Sequence, residues 1–310
     1  MRNWQTILAA VLVLFGVPAA LFFAQPDPAT QQASQAGRFV FSGWDGPDLP
    51  VYYVLPDTVT SETPVVFVMH GVNRDADRYR DEWTDLARKH GFIAVVPQFG
   101  KKDFPGSRGY NTGYFSERDG TVRARSQWSF AAIEPLFDDV RKRFGTAVPA
   151  YAIYGHSAGA QFVHRFVLFM PEARISRAVA ANAGWYTMPD PAIQFPYGLG
   201  GAPVDEASLR AALGKPVTVL LGTADVDRSD PDLRKTPEAD AQGPHRFARG
   251  QRFFSEAQAA ATQRAVPFAW NLITVPGVGH SNGRMASAAA AVLVEGCAGR
   301  AASEPIPTCR

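Results

Sequence analysis

The sequence predicts an α/β domain with a mostly parallel central sheet covered by helices on both faces, and three observations carry that expectation. Short β-branched runs that are apolar throughout alternate with longer amphipathic ones. Strands without a polar face are those buried on both sides, the condition of a parallel sheet between helical layers. Gly and Pro stand at the joints between the runs, and 310 residues suffice for one large core.

The chain begins differently. Arg2 and the α-amino group precede an uncharged, mostly apolar run from Thr6 to Ala24. A positive start followed by such a run is the pattern of a signal peptide or an N-terminal membrane anchor, so residues 1–24 are read as one or the other. Gly16 and Pro18 weaken a continuous span, and no small-x-small cleavage site is obvious near Ala24. Neither Lys nor Arg follows the run until Arg38, which puts the body on the far side of a membrane: periplasmic, secreted or tethered through residues 6–24. Residues 25–37, rich in Gln, Ala and Pro, read as a flexible linker, residues 38–297 as the catalytic domain and residues 298–310 as a tail. In an oxidising compartment the two cysteines, Cys297 and Cys309, are expected to form a disulfide, two free thiols being the alternative.

Strand-like runs cover Val51–Pro56, Pro64–His70, Phe92–Phe99, Pro149–Gly155, Ser176–Ala183, Pro216–Gly222 and Trp270–Gly277. Helical runs fall between them at Asp77–His90, Ser129–Phe144, Ala158–Met170, Gln251–Arg264 and Asn282–Glu295. Three segments break the alternation, 100–127, 184–214 and 226–250, and irregular segments of that length commonly shape an active site. A net charge of +2 gives no footprint for nucleic acid.

Gly155-His156-Ser157-Ala158-Gly159 is a G-x-S-x-G pentapeptide set between a strand-like and a helical run. The chemistry needs that setting. Flanking glycines allow a sharp turn and close packing while the serine hydroxyl projects above the sheet, so Ser157 is the candidate nucleophile. At a helix N-terminus the Ala158 N–H is free to hold an oxyanion; the Val72 N–H, after the His70-Gly71 pair, is its candidate partner. A serine hydroxyl needs a base, and the base an orienting acid. His280 follows the last strand-like run, whereas His245 lies in an irregular charged segment with no strand leading to it, so His280 is the candidate base. Asp225 and Asp227 both follow the strand ending at Gly222; Asp225 completes a Gly-x-x-Asp turn, and Asp227 begins a charge-rich stretch. Trp185, on a loop expected to open near the serine, is the candidate substrate-binding residue; Tyr110, Tyr114, Trp128, Tyr186, Phe195 and Tyr197 are open to plain packing. No metal-ligand cluster or phosphate loop is present, and no cofactor is expected.

The residues HG, GHSAG, GTAD and GVGH, in that order at those strand ends, resemble the α/β-hydrolase superfamily from about Phe39 to Cys297. Within it the HGVNRDADRY segment is similar to the polyhydroxyalkanoate depolymerase and feruloyl esterase group. The chain departs from that group in carrying His156 where many members have an aliphatic residue, and in lacking extra cysteines and a polymer-binding domain. The resemblance implies acyl transfer to water: Ser157 attacks an ester carbonyl, His280 moves the proton and an aspartate, by the resemblance Asp225, orients the imidazole. The expected substrate is a small-molecule carboxylic ester. The alternatives are an amidase or peptidase on the same scaffold, a polyester depolymerase, or an inactive binding protein.

Alkaline phosphatase fused after Gly37 is expected to be active in a bacterial host; a well-expressed but inactive fusion would reverse the topology.

Overall fold

The computed structural model describes residues 35–294. The expected signal or anchor, most of the linker, the tail and both cysteines lie outside the described residues. Eight strands form one sheet, β1 Ala36–Phe41, β2 Leu49–Val54, β3 Val65–Met69, β4 Ile93–Pro97, β5 Tyr151–His156, β6 Ile175–Ala181, β7 Val217–Gly222 and β8 Asn271–Val275, in the order β1-β2-β4-β3-β5-β6-β7-β8. β1 and β2 run antiparallel at one edge, and β3 to β8 are parallel.

Period-two alternation divides the core cleanly. Val65, Phe67 and Met69 of β3 face one helical layer, while Val66 and Val68 face the other. On the first face lie α3 Ile133–Phe144, α4 Ala158–Phe169, α5 Glu206–Leu213 and α7 Arg246–Gln263, with Phe137, Phe162, Phe166 and Phe253 in the core. On the second, α1 Ala76–His90 and α8 Asn282–Val294 bury Trp83, Ala87, Met285 and Leu293 against Val66, Val68 and Tyr154. Two short helices, α2 Gly106–Gly109 and α6 Pro237–Gln242, lie in the long connections.

Several expected boundaries move. The linker ends earlier than expected, because Ala36 and Gly37 already pair with Val54 and Tyr53 in β1. This edge strand alternates exposed and covered residues and includes Gly37 and Arg38, so it lacks the wholly apolar signature of the central strands. The segments 184–214 and 226–250 are not irregular throughout. Asp205 caps α5 by accepting from the Ser208 N–H at 2.8 Å, and Thr236 caps α6 with Pro237 in its first turn. α7 starts at Arg246 rather than Gln251, capped by His245 Nδ1 accepting from the Ala248 N–H at 3.2 Å. Its first turns bury Arg246 and Arg249, so the inward face reads as polar in the sequence.

Three histidines are buried as neutral rings. Phe99 N–H donates to His70 Nε2 at 3.1 Å while Nδ1 donates to the Gly71 carbonyl at 3.1 Å. His164 repeats the arrangement, Nε2 accepting from Thr187 N–H and Nδ1 donating to the Ala160 carbonyl. Protonating either Nε2 would turn it against an N–H donor. Burial first, then the Arg74 charge, lowers His70 to about 3; burial likewise holds His164 and His156 well below the ordinary histidine value.

Each folded pKa lies below the unfolded one, so the unfolded chain binds more protons on acidification. Stability from these rings is complete above about pH 6.5 and is lost as pH falls toward the folded values, by about 1.4 kcal/mol per pH unit for each ring. Urea midpoints are therefore expected to fall steadily between pH 6.5 and 5, and a flat profile over that window would contradict neutral burial.

Candidate active site

The pentapeptide forms a strand-turn-helix elbow between β5 and α4. Ser157 has φ 57° and ψ −117°, in a region that L residues rarely occupy, and such strain costs on the order of 1–3 kcal/mol. Its neighbours hold it there. The Ser157 N–H donates to the Ala181 carbonyl at 3.0 Å, and the Ser157 carbonyl accepts from the Gln161 N–H at 3.1 Å. The two glycines let the turn close: a Cβ on Gly155 would stand 2.1 Å from the Gly159 carbonyl oxygen, and one on Gly159 2.0 Å from the Met69 oxygen. The helix thus sits directly on the loop after β3, where Val72 lies. Neither the Val72 N–H nor the Ala158 N–H donates to any acceptor among the described residues.

His280 lies on the loop after β8, partly open to solvent, and its Nδ1 is 2.8 Å from Asp225 Oδ2. Asp225 is buried at the end of β7. The two loops are zipped together: Ala224 N–H donates to the Val278 carbonyl at 3.0 Å, and a Cβ on Gly222 would meet that carbonyl oxygen at 2.3 Å. Asp227 is not on the imidazole; its Oδ1 accepts from Ser229 N–H and Oγ, and those bonds lower its pKa. Hydrogen bonds from Ser157 Oγ are absent among the described residues, and the His280 ring instead packs 4.5 Å from the ring of His156. That contact stands the imidazole over the elbow.

Three contributors escaped the sequence reading. Asn182, at φ 51°, accepts from the Gly222 N–H through Oδ1 at 2.8 Å and donates through Nδ2 to the Gly279 carbonyl at 3.2 Å. It ties the ends of β6 and β7 to the histidine loop; Asn tolerates the left-handed region better than most residues, which is the signal available in AANAG. Arg246 lies 3.6 Å from Asp225 Oδ1 and 2.7 Å from Asp230 Oδ2, keeping the acid beside a fixed cation. Tyr79, in contact with Gly71, brings its hydroxyl to 3.4 Å from His156 Nδ1. Burial, then the charges of His280 and Arg246, holds His156 neutral.

Trp185 follows β6 at the rim, but its ring is almost wholly covered. Arg165 and Arg234 lie over the indole at 4.1 and 4.7 Å from its centre, and Tyr197 packs at 5.0 Å. Tyr110, Trp128, Tyr186 and Tyr197 are buried as well, so packing is their principal role. Among the described residues no group of three or more His, Cys, Asp and Glu side chains is arranged to hold a metal.

A mostly parallel sheet with a strained serine elbow and a His–Asp pair at neighbouring strand ends defines a hydrolase of the α/β type. No family model matches the chain, and no curated protein does. Among solved structures it is similar to poly(aspartic acid) hydrolase-1 from Sphingomonas sp. KT-1, with 52% identity and a TM-score of 0.82 over 83% of this chain and 98% of that one. It is also similar to the poly(3-hydroxybutyrate) depolymerase LpqC from Bordetella parapertussis, with 35% identity and a TM-score of 0.79 over 86% and 92% of the two chains. The siderophore hydrolase EstB from Aspergillus nidulans shares the fold, at 15% identity and a TM-score of 0.52 over 87% of this chain and 98% of that one. The chain belongs to the α/β-hydrolase superfamily.

Asn substitutions distinguish the two aspartates. Asp225→Asn is expected to lower kcat by about 10⁴ through a misaligned or wrong-tautomer imidazole, whereas Asp227→Asn changes it less than about threefold. A larger loss at Asp227, in variants of equal urea stability, would transfer the role.

Proposed function

We propose that the protein is an exported serine hydrolase that cleaves carboxylic esters through Ser157, His280 and Asp225. The observation that carries this reading is the 2.8 Å bond from His280 Nδ1 to buried Asp225, beside the serine elbow. An Nδ1–H donated to the carboxylate leaves Nε2 as the base. Substrate binding brings that nitrogen within hydrogen-bond reach of Oγ, a contact often loose in unliganded hydrolases. Ser157 Oγ then attacks the carbonyl carbon as Nε2 takes its proton. The oxyanion is held by the Val72 and Ala158 N–H groups. Collapse expels the alcohol, which receives the proton from His280 and leaves an acyl-enzyme. Water repeats the cycle and releases the acid. No step calls for a metal or cofactor.

Export rests on the sequence pattern of residues 1–24. Amide cleavage is the second reading. It is favoured by the 52% identity to a poly(aspartic acid) hydrolase, while the 35% identity to a poly(3-hydroxybutyrate) depolymerase supports esters, polymeric ones included. Both use the same residues.

Ser157→Ala is expected to abolish hydrolysis and fluorophosphonate labelling while the urea midpoint holds. On matched ester and amide pairs the ester is expected to turn over at least tenfold faster, and equal or faster amide turnover would replace the ester reading with the amide one.

A further inference from the structure

Residues of the segments 107–116 and 185–196 together with Arg234 enclose an open cleft of about 290 Å³. Arg108, Thr112, Trp185, Phe195 and Arg234 contribute to its wall. Its wall is tied to α4, the helix that starts at the serine, through Asn111, the neighbour of Thr112, and through Trp185. Gln161, one turn on from Ser157, accepts from Asn111 Nδ2 at 2.7 Å, and Arg165, a further turn on, donates to the Asn111 and Gln161 carbonyls. Gln161 and Arg165 stand four and eight residues beyond Ser157, roughly 6 and 12 Å along the helix, the scale of a short acyl or alkyl chain.

The charge balance here is unusual. Arg165 is wholly buried, yet all its acceptors are neutral: Thr187 Oγ1 and the two carbonyls. Its Nη2 is buried with no partner. Arg234 donates to the Tyr197 hydroxyl at 2.6 Å and shares the Trp185 indole with Arg165. Buried Nε of Arg108 has no acceptor either. Among the described residues no carboxylate stands at ion-pair distance from any of the three; Glu238 feels Arg234 only at longer range. Burial, then the Arg234 charge, pushes Arg165 well below the ordinary guanidinium range, but a guanidinium keeps its proton in proteins. Elsewhere among the described residues, buried Arg246 has Asp230 and Arg249 has Asp240, while buried Arg74 has three backbone carbonyls, of Phe99, Phe104 and Gly106. A buried cation left without a counter-charge is costly, and an anion that enters from outside relieves that cost.

We infer that the cleft is a carboxylate subsite: the acyl substrates of this enzyme carry a free carboxylate, which Arg108 and Arg234 grip at the wall. Arg165 acts from beneath the indole. It touches no substrate, but it holds Trp185 and supplies positive potential that no protein carboxylate neutralises. The inference rests on Ser157 as the nucleophile and adds the substrate's charge to that reading.

Two ester pairs test it on the full chain. The acyl-side pair is 4-nitrophenyl butyrate against the mono-4-nitrophenyl esters of succinate and glutarate; the alcohol-side pair is butyl acetate against 4-acetoxybutyrate. In at least one pair the charged ester is expected to have a tenfold higher kcat/KM, the advantage shrinking in 0.5 M salt. Arg108→Met and Arg234→Met should each lower that ratio about tenfold, while Arg38→Met on the edge strand leaves it unchanged. Arg165→Met should lower the ratio yet raise the urea midpoint, a gain that a merely structural arginine would not give. Preference for the neutral ester in both pairs, or a ratio indifferent to Arg108 and Arg234, overturns the subsite. Calorimetric titration of Ser157→Ala with tetra-aspartate reads the same site without chemistry. Binding that Arg234→Met abolishes upholds the subsite even where no ester is hydrolysed, in which case the nucleophile reading alone fails; absence of binding overturns the subsite even where esters are cleaved.

Discussion

The close approach of α4 to the loop after β3 is the constraint on which the rest depends. With no Cβ at Gly155 or Gly159, the backbone of the first helical turn rests on the Met69 and His70 carbonyls. Ser157 is thereby held at a positive φ, with its amide fixed to Ala181 on one side and its carbonyl to Gln161 on the other. The same contact brings the free Ala158 and Val72 amides to one end of the sheet. A side chain at either glycine would lift the helix, and elbow and amide donors would separate together. Strain at Ser157 is thus maintained by packing distributed over β3, β5 and β6 rather than by any single bond.

Most of this was legible in the sequence because the central strands are apolar on both faces and the pentapeptide stands where a strand meets a helix. β3 to β8 appear as expected runs, give or take a residue or two at their ends. The edge strand β1 was not legible, since a strand with one open face, a glycine and an arginine in six residues resembles linker. Nor was the start of α7, because Arg246 and Arg249 occupy its inward face and periodicity cannot tell a buried guanidinium from a solvated one. For the same reason the environment of Trp185 was invisible. Nothing local in the sequence says that Arg165 and Arg234, sixty-nine positions apart, meet over one ring. The choice between Asp225 and Asp227 was narrowed by turn chemistry, whereas the contact with His280 depends on how two loops zip across neighbouring strands.

Electrostatically the site has two halves. Around the His–Asp pair the charges are balanced: Arg246 lies between Asp225 and Asp230, and His156 is kept neutral by burial beside His280. Along α4 they are not: Arg108 and Arg234 line an open cleft, Arg165 is buried beneath Trp185, and among the described residues none of the three is paired with a carboxylate. A balanced half suits a base that must gain and lose a proton without large reorganisation. An unbalanced half suits recognition, because its field acts on whatever enters.

Asn182 has a broader consequence. By joining the amide of Gly222 to the carbonyl of Gly279, it fastens the Asp225 and His280 loops to the strand that also anchors the serine amide. Ser157, Asp225 and His280 therefore stand on one block whose dimensions are fixed by sheet spacing. The segments 107–116 and 184–214, which with Arg234 wall the cleft, hang from that block, whereas Arg246, Asp230 and the Phe247 N–H on the Asp225 carbonyl tie 226–250 to it. Such a division lets insertions, deletions and charge reversals in the walls accumulate while the chemistry stays constant. Proteins built on such a frame can then differ chiefly in upholstery.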